Sequence, residues 1–152
     1  MAYRFKLETL LDYRRTLEEQ AQQTLAKELA VLDAHRRHLA ELEEERLHLG
    51  NELESRKKKK LSALLFAFYI EALGRKETEV RARRLMIDSQ QQAVDRARNE
   101  LTERVKARKV IERAREKDHQ EYIRERRRQE QNENDEQAVL RYGRTTLGDL
   151  QG

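Results

Sequence analysis

The sequence predicts an all-α protein, an antiparallel two-helix coiled-coil hairpin with a longer, overhanging C-terminal helix. The composition is the first indication, because 41% of the 152 residues are charged and none is proline or cysteine, as is typical of coiled coils. Apolar residues that recur every seven residues are the second, since this spacing keeps them on one helix face. They are Leu25, Leu32, Leu39 and Leu53, with Arg46 at the intervening position of the first stripe, then Phe66, Leu73, Val80, Ile87, Val94 and Leu101. A fold at about Lys59 would place Leu32 near Ile87, so the two stripes face each other.

The first helix is expected over about residues 5–55, because apolar residues recur at three- and four-residue steps as far as Leu53. Gly50 and Asn51 form a weak spot that does not interrupt this period. The first 54 residues contain 8 basic and 12 acidic residues, whereas the remainder contains 25 and 17. The two arms therefore carry opposite net charges, which favours their pairing.

The turn is expected over about residues 56–62, where Arg56 and four consecutive lysines, Lys57–Lys60, leave nothing apolar to pack. Ser62 is a suitable N-cap for the second helix. Two interpretations of the lysines remain open. They form either a solvated loop tip or an electrostatic docking point for an acidic protein surface or anionic lipid.

The second helix is expected over about residues 62–142, so that residues 1–142 form a single hairpin domain. Since the start of the first helix would face about Ile111, everything beyond about Ala114 should overhang without a partner arm. Residues 143–152 are predicted to be a flexible tail because they contain three glycines, namely Gly143, Gly148 and Gly152.

Large apolar residues surround the second helix just after the turn, more than a two-helix seam can bury. The excess either closes the hairpin or forms a docking surface. The residues expected to face inward are Phe66, Tyr69 and Leu73. Those expected to face outward are Leu65, Phe68 and Ile70.

Composition and pattern argue against catalysis, cofactors and metals. The isolated glycines form no phosphate-binding loop, and a rod offers no dry cleft to perturb a carboxylate. His35, His38 and Glu41 share a helix face and are a conceivable set of three metal ligands. Polar helix faces commonly carry such a combination, so no metal site is expected there. Acids alternate with the basic residues of the second arm, which argues against nucleic-acid binding. No signal peptide and no transmembrane segment are expected.

One segment runs from Phe5 to Arg14, with an aromatic residue, spaced leucines and an arginine. Three others are residues 69–73, 106–113 and 130–136. Together these four segments resemble the FliJ family of the bacterial flagellar type III export apparatus. Their order and spacing extend the resemblance to about Arg141. The lysine-rich turn is not part of it.

The resemblance implies an antiparallel two-helix coiled coil and a non-enzymatic role in flagellum assembly. Family members bind the export ATPase, favour its hexamer, and link it to the cytoplasmic domain of the membrane export gate. They also interact with export chaperones. The implied location is the cytoplasm, at the cytoplasmic side of the cell membrane. Two alternatives stay open: the equivalent stalk protein of a virulence type III secretion system, and a generic structural coiled-coil scaffold.

Two candidate surfaces follow from these observations. The expected ATPase-binding surface lies at the base of the hairpin, which is the end opposite the turn. There the overhanging helix could enter the central hole of the ATPase hexamer. It comprises Phe5, Leu7, Leu10, Leu11, Arg14, Arg108, Lys109, Ile111, Glu112 and Arg113. The expected gate-binding surface is the apolar belt near the turn, comprising Leu42, Leu49, Phe66, Phe68, Tyr69 and Leu73.

Overall fold

The computed structural model describes residues 3–151, with side chains up to residue 148. The fold is an all-α helical hairpin, as predicted. Helix α1 spans Glu8–Lys57 and helix α2 spans Ala63–Gln151, so both helices begin close to their expected positions. The contacts of the chain group into two units. One unit is Leu17–Val105, and the other combines the chain up to Thr16 with the chain from Lys106 onward.

The ends of the helices at the turn follow from local chemistry. The Ser62 Oγ accepts a hydrogen bond from the Leu65 amide at 3.2 Å, which confirms Ser62 as the N-cap of α2. Arg56 and Lys57 occupy the last turn of α1, where positive charge is favourable for the helix dipole. Gly50 lies within α1 without a positive φ, so the expected weak spot does not interrupt the helix.

Within Leu17–Val105, the core lies between the paired stretches of α1 and α2. Leu32 and Val80 retain 3% and 2% of their accessible surface, and Val94 retains none. Leu25, Leu39 and Ile87 are only half-buried. The other buried residues of this unit are Ala21, Leu42, Leu53, Tyr69 and Ala97. The heptad stripes therefore form the seam, although not every member is enclosed.

Two polar pairs cross this seam one heptad apart. The Gln90 amide donates to the Glu28 carbonyl oxygen at 3.0 Å, and Arg83 Nη1 lies 2.8 Å from His35 Nδ1. Both pairs fall within one residue of the expected register. Arg83 Nε is buried without a hydrogen-bond partner. Polar groups at such positions lower stability but favour one register over the alternatives.

The expected end of the second helix at about Tyr142 is wrong, because α2 continues to Gln151. Gly143 and Gly148 have no positive φ and lie inside the helix. A helical glycine costs only about 1 kcal/mol relative to alanine, so two of them do not end a helix by themselves. Gly152, the third glycine of the expected tail, lies outside the described residues.

Candidate functional sites

The unit that combines the chain up to Thr16 with the chain from Lys106 onward brings together the residues of the expected ATPase-binding surface. Leu11 is fully buried and Ile111 retains 7% of its surface. Phe5 and Leu10 are half-buried, whereas Leu7 is exposed. Two segments that are distant in sequence therefore share one small apolar core.

Polar contacts fix the pairing of these segments. Arg14 Nη1 donates to the Ala107 carbonyl oxygen at 2.7 Å in a half-buried position. Glu112 accepts from Arg108 Nη1 at 2.7 Å, and its other carboxylate oxygen lies 3.6 Å from Arg15 Nη2. The hydrogen bond from Arg108 is the main cause that lowers the pKa of Glu112 below its ordinary value.

The pairing extends beyond Ala114, so the expected start of the overhang is wrong. Glu8 forms an ion pair with Arg115 at 3.4 Å. The Tyr3 hydroxyl donates to Asp118 Oδ2 at 2.8 Å, and its ring lies 5.2 Å from that of Tyr122. Tyr3 precedes α1 and is not helical, and extended chain advances about 3.3 Å per residue against 1.5 Å in a helix. A few non-helical residues therefore reach further along α2 than the heptad count allows.

Tyr3 completes an open groove in this unit. Its ring stands edge-on to His119 at 4.8 Å. Desolvation, followed by the hydrogen bond to Asp118, raises the pKa of the Tyr3 hydroxyl above its ordinary value. The groove has a volume of about 450 Å³ and is lined by Tyr3, Arg15, Glu112, Arg115, Glu116 and His119.

Not every residue expected at the ATPase-binding surface is accessible in this unit. Lys109 and Arg113 are exposed and available to a partner, whereas Leu11 and Ile111 support the surface from inside.

Sequence reasoning missed Tyr3, Arg15 and Arg115. The arginines carry no distinguishing sequence signal among so many charged residues. Tyr3 stands before the heptad pattern begins, so periodicity could not place it.

Beyond Ile123, α2 has no described packing partner. Every residue from 124 to 148 is exposed except Gly143, which is half-buried. Its side chains pair along the helix, as in Arg126 with Glu130 at 3.5 Å and Arg128 with Glu125 at 3.2 Å. We call residues 124–148 the terminal segment.

The apolar belt near the turn, which lies in the unit Leu17–Val105, divides into buried and exposed members. Leu42 and Tyr69 are buried, and Leu49 and Leu73 are half-buried. Phe68 is 57% exposed. The inward orientation of Tyr69 and the outward orientation of Phe68 match the expectation. Direct contact through Leu42 and Tyr69 would require the hairpin to open.

Two cations at the C-terminal end of α1 lie over aromatic rings of the belt. Lys57 Nζ is 5.5 Å from the centroid of the Phe66 ring, and Arg56 Cζ is 5.8 Å from that of Tyr69. Phe66 is 39% exposed, so its expected inward position is only partly correct. Such cation–π contacts cover one face of each ring while leaving the charges in water.

Within residues 3–148, no group of three or more His, Cys, Asp or Glu side chains could hold a metal ion. His35 faces the Arg83 guanidinium, a group that can only donate, so His35 Nδ1 is engaged as an acceptor. Between residues 3 and 151, no helix combines the length and apolar character needed to cross a membrane.

The comparisons with known proteins agree with this architecture. The model of the family described as "Flagellar FliJ protein" matches residues 3–146. None of the curated proteins matches the chain. A solved structure from Chlamydia trachomatis, CT670, described as a candidate YscO homologue, superimposes with a TM-score of 0.71 at 21% identity. The match covers 91% of this chain and 94% of that one.

The family match covers nearly the whole chain, including both segments that form the base and the belt near the turn. The structural match, at its low identity, supports the helical hairpin fold independently. Proteins of the matched family are non-catalytic components of type III protein export. The chain belongs to the FliJ family.

Proposed function

We propose that this chain is the central stalk of the flagellar type III export apparatus. It binds the export ATPase, favours its hexamer, and links it to the cytoplasmic domain of the export gate and to export chaperones. It acts in the cytoplasm, at the cytoplasmic side of the cell membrane, and is needed for flagellum assembly. It catalyses no reaction itself.

One observation carries the ATPase-binding part of this proposal. The two segments that most resemble the family, near Arg14 and near Glu112, form a single unit held by Arg14 with Ala107 and Arg15 with Glu112. The arrangement leaves Lys109 and Arg113 exposed. Partner binding through such charges gains mostly in orientation and association rate.

The terminal segment supports the stalk role. It is helical, highly charged and without a packing partner among the described residues. A helix that is polar all round gains stability from ion pairs or from a partner. The central hole of a hexamer lined with polar loops and acids would supply that partner.

Gate binding is assigned to the exposed part of the belt, namely Phe66 and Phe68, with Leu49 and Leu73 half-buried beside them. Aromatic side chains that are exposed in the free protein are common anchors in protein interfaces. Leu42 and Tyr69 hold the helices together beneath this surface.

Truncation after Ile123 tests the stalk role, because it leaves the contacts of Tyr3 and Glu8 in place. The truncated chain should keep a folded hairpin by circular dichroism but lose stimulation of ATP hydrolysis and of hexamer formation. Stimulation equal to that of the full chain would show that the terminal segment is not inserted. The full chain should also bind less tightly as salt rises, since charges are screened within about 8 Å at physiological ionic strength.

The full-length Phe68→Ala variant is the matched control for this truncation. It should stimulate the ATPase normally but bind the gate domain more weakly, whereas the truncated chain should show the reverse. If neither protein differs from the wild type in either assay, a generic scaffold is favoured. Loss of motility on gene deletion, with virulence secretion unchanged, would distinguish the flagellar role from the equivalent role in virulence secretion.

A further inference from the structure

The loop between the helices and the start of α2 form an unusually positive end of the hairpin. Residues 55–70 contain Arg56 and Lys57–Lys60 but no aspartate or glutamate. All five cations are exposed. The first turn of α2 contains no acid either, so the positive end of its helix dipole adds to this field.

Little in the structure neutralises these charges. Lys57 pairs with Glu54 at 3.3 Å, but both side chains are substantially exposed, so the pair is weak. Within the described part of the chain, Lys58, Lys59 and Lys60 have no ion-pair partner. Two arginines of the terminal segment differ, because Arg126 pairs with Glu130 and Arg128 pairs with Glu125.

Exposed apolar side chains stand beside the positive loop. Leu64 is 85% exposed and Phe68 is 57% exposed, and their spacing of four residues places them on one face of α2. The Ser62 cap fixes the start of the helix that presents them. Neither side chain contributes to the buried core of Leu17–Val105.

We propose that Arg56–Lys60, Leu64 and Phe68 together form a docking surface for an anionic phospholipid bilayer. Lysines attract the negative surface, and apolar side chains that enter the interface add a second contribution. Stable binding of a protein without a spanning helix generally requires both.

Residue type favours lipid over an acidic protein surface. Lysine is depleted in protein–protein interfaces, where aromatic residues and arginine are enriched. Four consecutive lysines on flexible stems present point charges without a fixed geometry. Such charges suit mobile headgroups better than carboxylates held at defined positions.

The proposal concerns the chain alone and does not depend on ATPase or gate binding. Its test is sedimentation of the full chain with vesicles of equal parts phosphatidylglycerol and phosphatidylcholine. Replacing Lys57, Lys58, Lys59 and Lys60 by glutamine should lower the partition coefficient of the protein onto these vesicles by about tenfold or more. Vesicles of phosphatidylcholine alone should bind little of either protein.

The terminal segment provides a matched control with the same loss of charge. Replacing Arg124, Arg126, Arg127 and Arg128 by glutamine also removes four cations, but from a stretch with interspersed acids. This variant should bind the anionic vesicles within about twofold of the wild type, since its turn is intact. Circular dichroism would confirm that both variants remain helical.

Insertion of the apolar residues can be measured separately. The chain contains no tryptophan, so Phe68→Trp introduces a single fluorophore at the proposed contact. Its emission should shift to the blue with anionic vesicles and not with neutral ones. Leu64→Gln should make binding more sensitive to salt than that of the wild type, because Phe68 alone then supplies the apolar contribution.

Three results would overturn the proposal. One is failure of the wild-type chain to bind anionic vesicles, and another is equal loss of binding by the lysine and arginine variants. Binding to immobilised polyglutamate that requires Lys57–Lys60, without binding to vesicles, would assign the surface to an acidic protein instead. Because the lysine variant retains Phe66 and Phe68, its ATPase and gate assays report on the proposed function independently.

Discussion

The seam within Leu17–Val105 and the terminal segment are both helical, but different interactions stabilise them. In the seam, α1 and α2 bury Leu32, Val80 and Val94 almost completely. In the terminal segment no large side chain is buried, and Val139, Leu140, Tyr142 and Leu147 remain 62–76% exposed. One stretch of helix is therefore held by packing and the other by local interactions.

This difference bears on function, because local interactions stabilise a helix only slightly. Ion pairs three or four residues apart contribute roughly 0.2–0.5 kcal/mol each. A segment that depends on them is free to adapt to a partner, whereas the seam resists deformation. Matched substitutions in the two regions can test the comparison.

The largest difference should come from introducing a charge at an apolar position. Leu32→Asp places an unpaired carboxylate in the seam and should cost several kcal/mol, out of a total stability of about 5–15 kcal/mol for small proteins. Val139→Asp, at a position 70% exposed, should change stability by less than about 0.5 kcal/mol. Urea unfolding followed by circular dichroism measures both. A large loss for Val139→Asp would show that the terminal segment is packed in solution.

Loss of an arginine contact should give the next largest difference. Arg14→Ala removes a hydrogen bond from a charged donor to the Ala107 carbonyl oxygen, with an expected cost of about 1.5–3 kcal/mol. Arg128→Ala removes an exposed pair with Glu125 and should cost less than about 0.5 kcal/mol. Thermal unfolding of the two variants provides the comparison. Equal costs would contradict the distinction between a half-buried contact and a solvated one.

The sequence predicted the hairpin because heptad spacing directly reflects burial in a helix pair. Leu32, Val80 and Val94 are buried where the two stripes meet. Ile87 is only half-buried, so a charge there should cost less than one at Leu32. Tyr69 inward and Phe68 outward also followed from helix geometry.

The polar layers of the seam could not be predicted in the same way. Glu28, His35, Arg83 and Gln90 recur with the seven-residue period, but polar residues with that period equally describe a solvated face. Only the rotation of one helix against the other decides which face is buried. Periodicity in one arm does not contain that information.

The ends of the paired region also depended on contacts that sequence patterns do not show. Tyr3 reaches Asp118 through a short non-helical segment, which a count of helical residues cannot anticipate. In α2 the helix continues past Gly143, where Thr145 and Thr146 donate to the carbonyl oxygens of Arg141 and Tyr142 one turn earlier. The structure describes where the residues of the two candidate surfaces lie, whereas the binding partners of these surfaces stay predictions.

Lowering the pH should destabilise the wild-type chain more than a variant that lacks the Glu112 carboxylate. The pKa of Glu112 is lowered by the hydrogen bond from Arg108 and by Arg15 nearby, so the ionised form stabilises the folded state. This contribution is present above the ordinary pKa of a glutamate and is lost as pH falls through the lowered value. Glu112→Gln should flatten the decline in melting temperature below about pH 4.5. The effect should be smaller than that of Arg14→Ala because Glu112 is 35% exposed, and an unchanged acid profile would contradict it.

The smallest effects should come from glycine substitutions that separate global from local stability. A Cβ added at Gly50 or at Gly143 would meet no atom within 4 Å, and neither glycine has a positive φ. Alanine should therefore favour the helix by roughly 0.5–1 kcal/mol at each position. Gly50→Ala lies in the paired part of α1 and should raise the melting temperature of the hairpin. Gly143→Ala should instead slow hydrogen exchange only around its own position, because the terminal segment can unfold without opening the seam. If Gly143→Ala raises the global melting temperature as much as Gly50→Ala, the terminal segment unfolds together with the hairpin, and it does not behave as an independently adaptable helix.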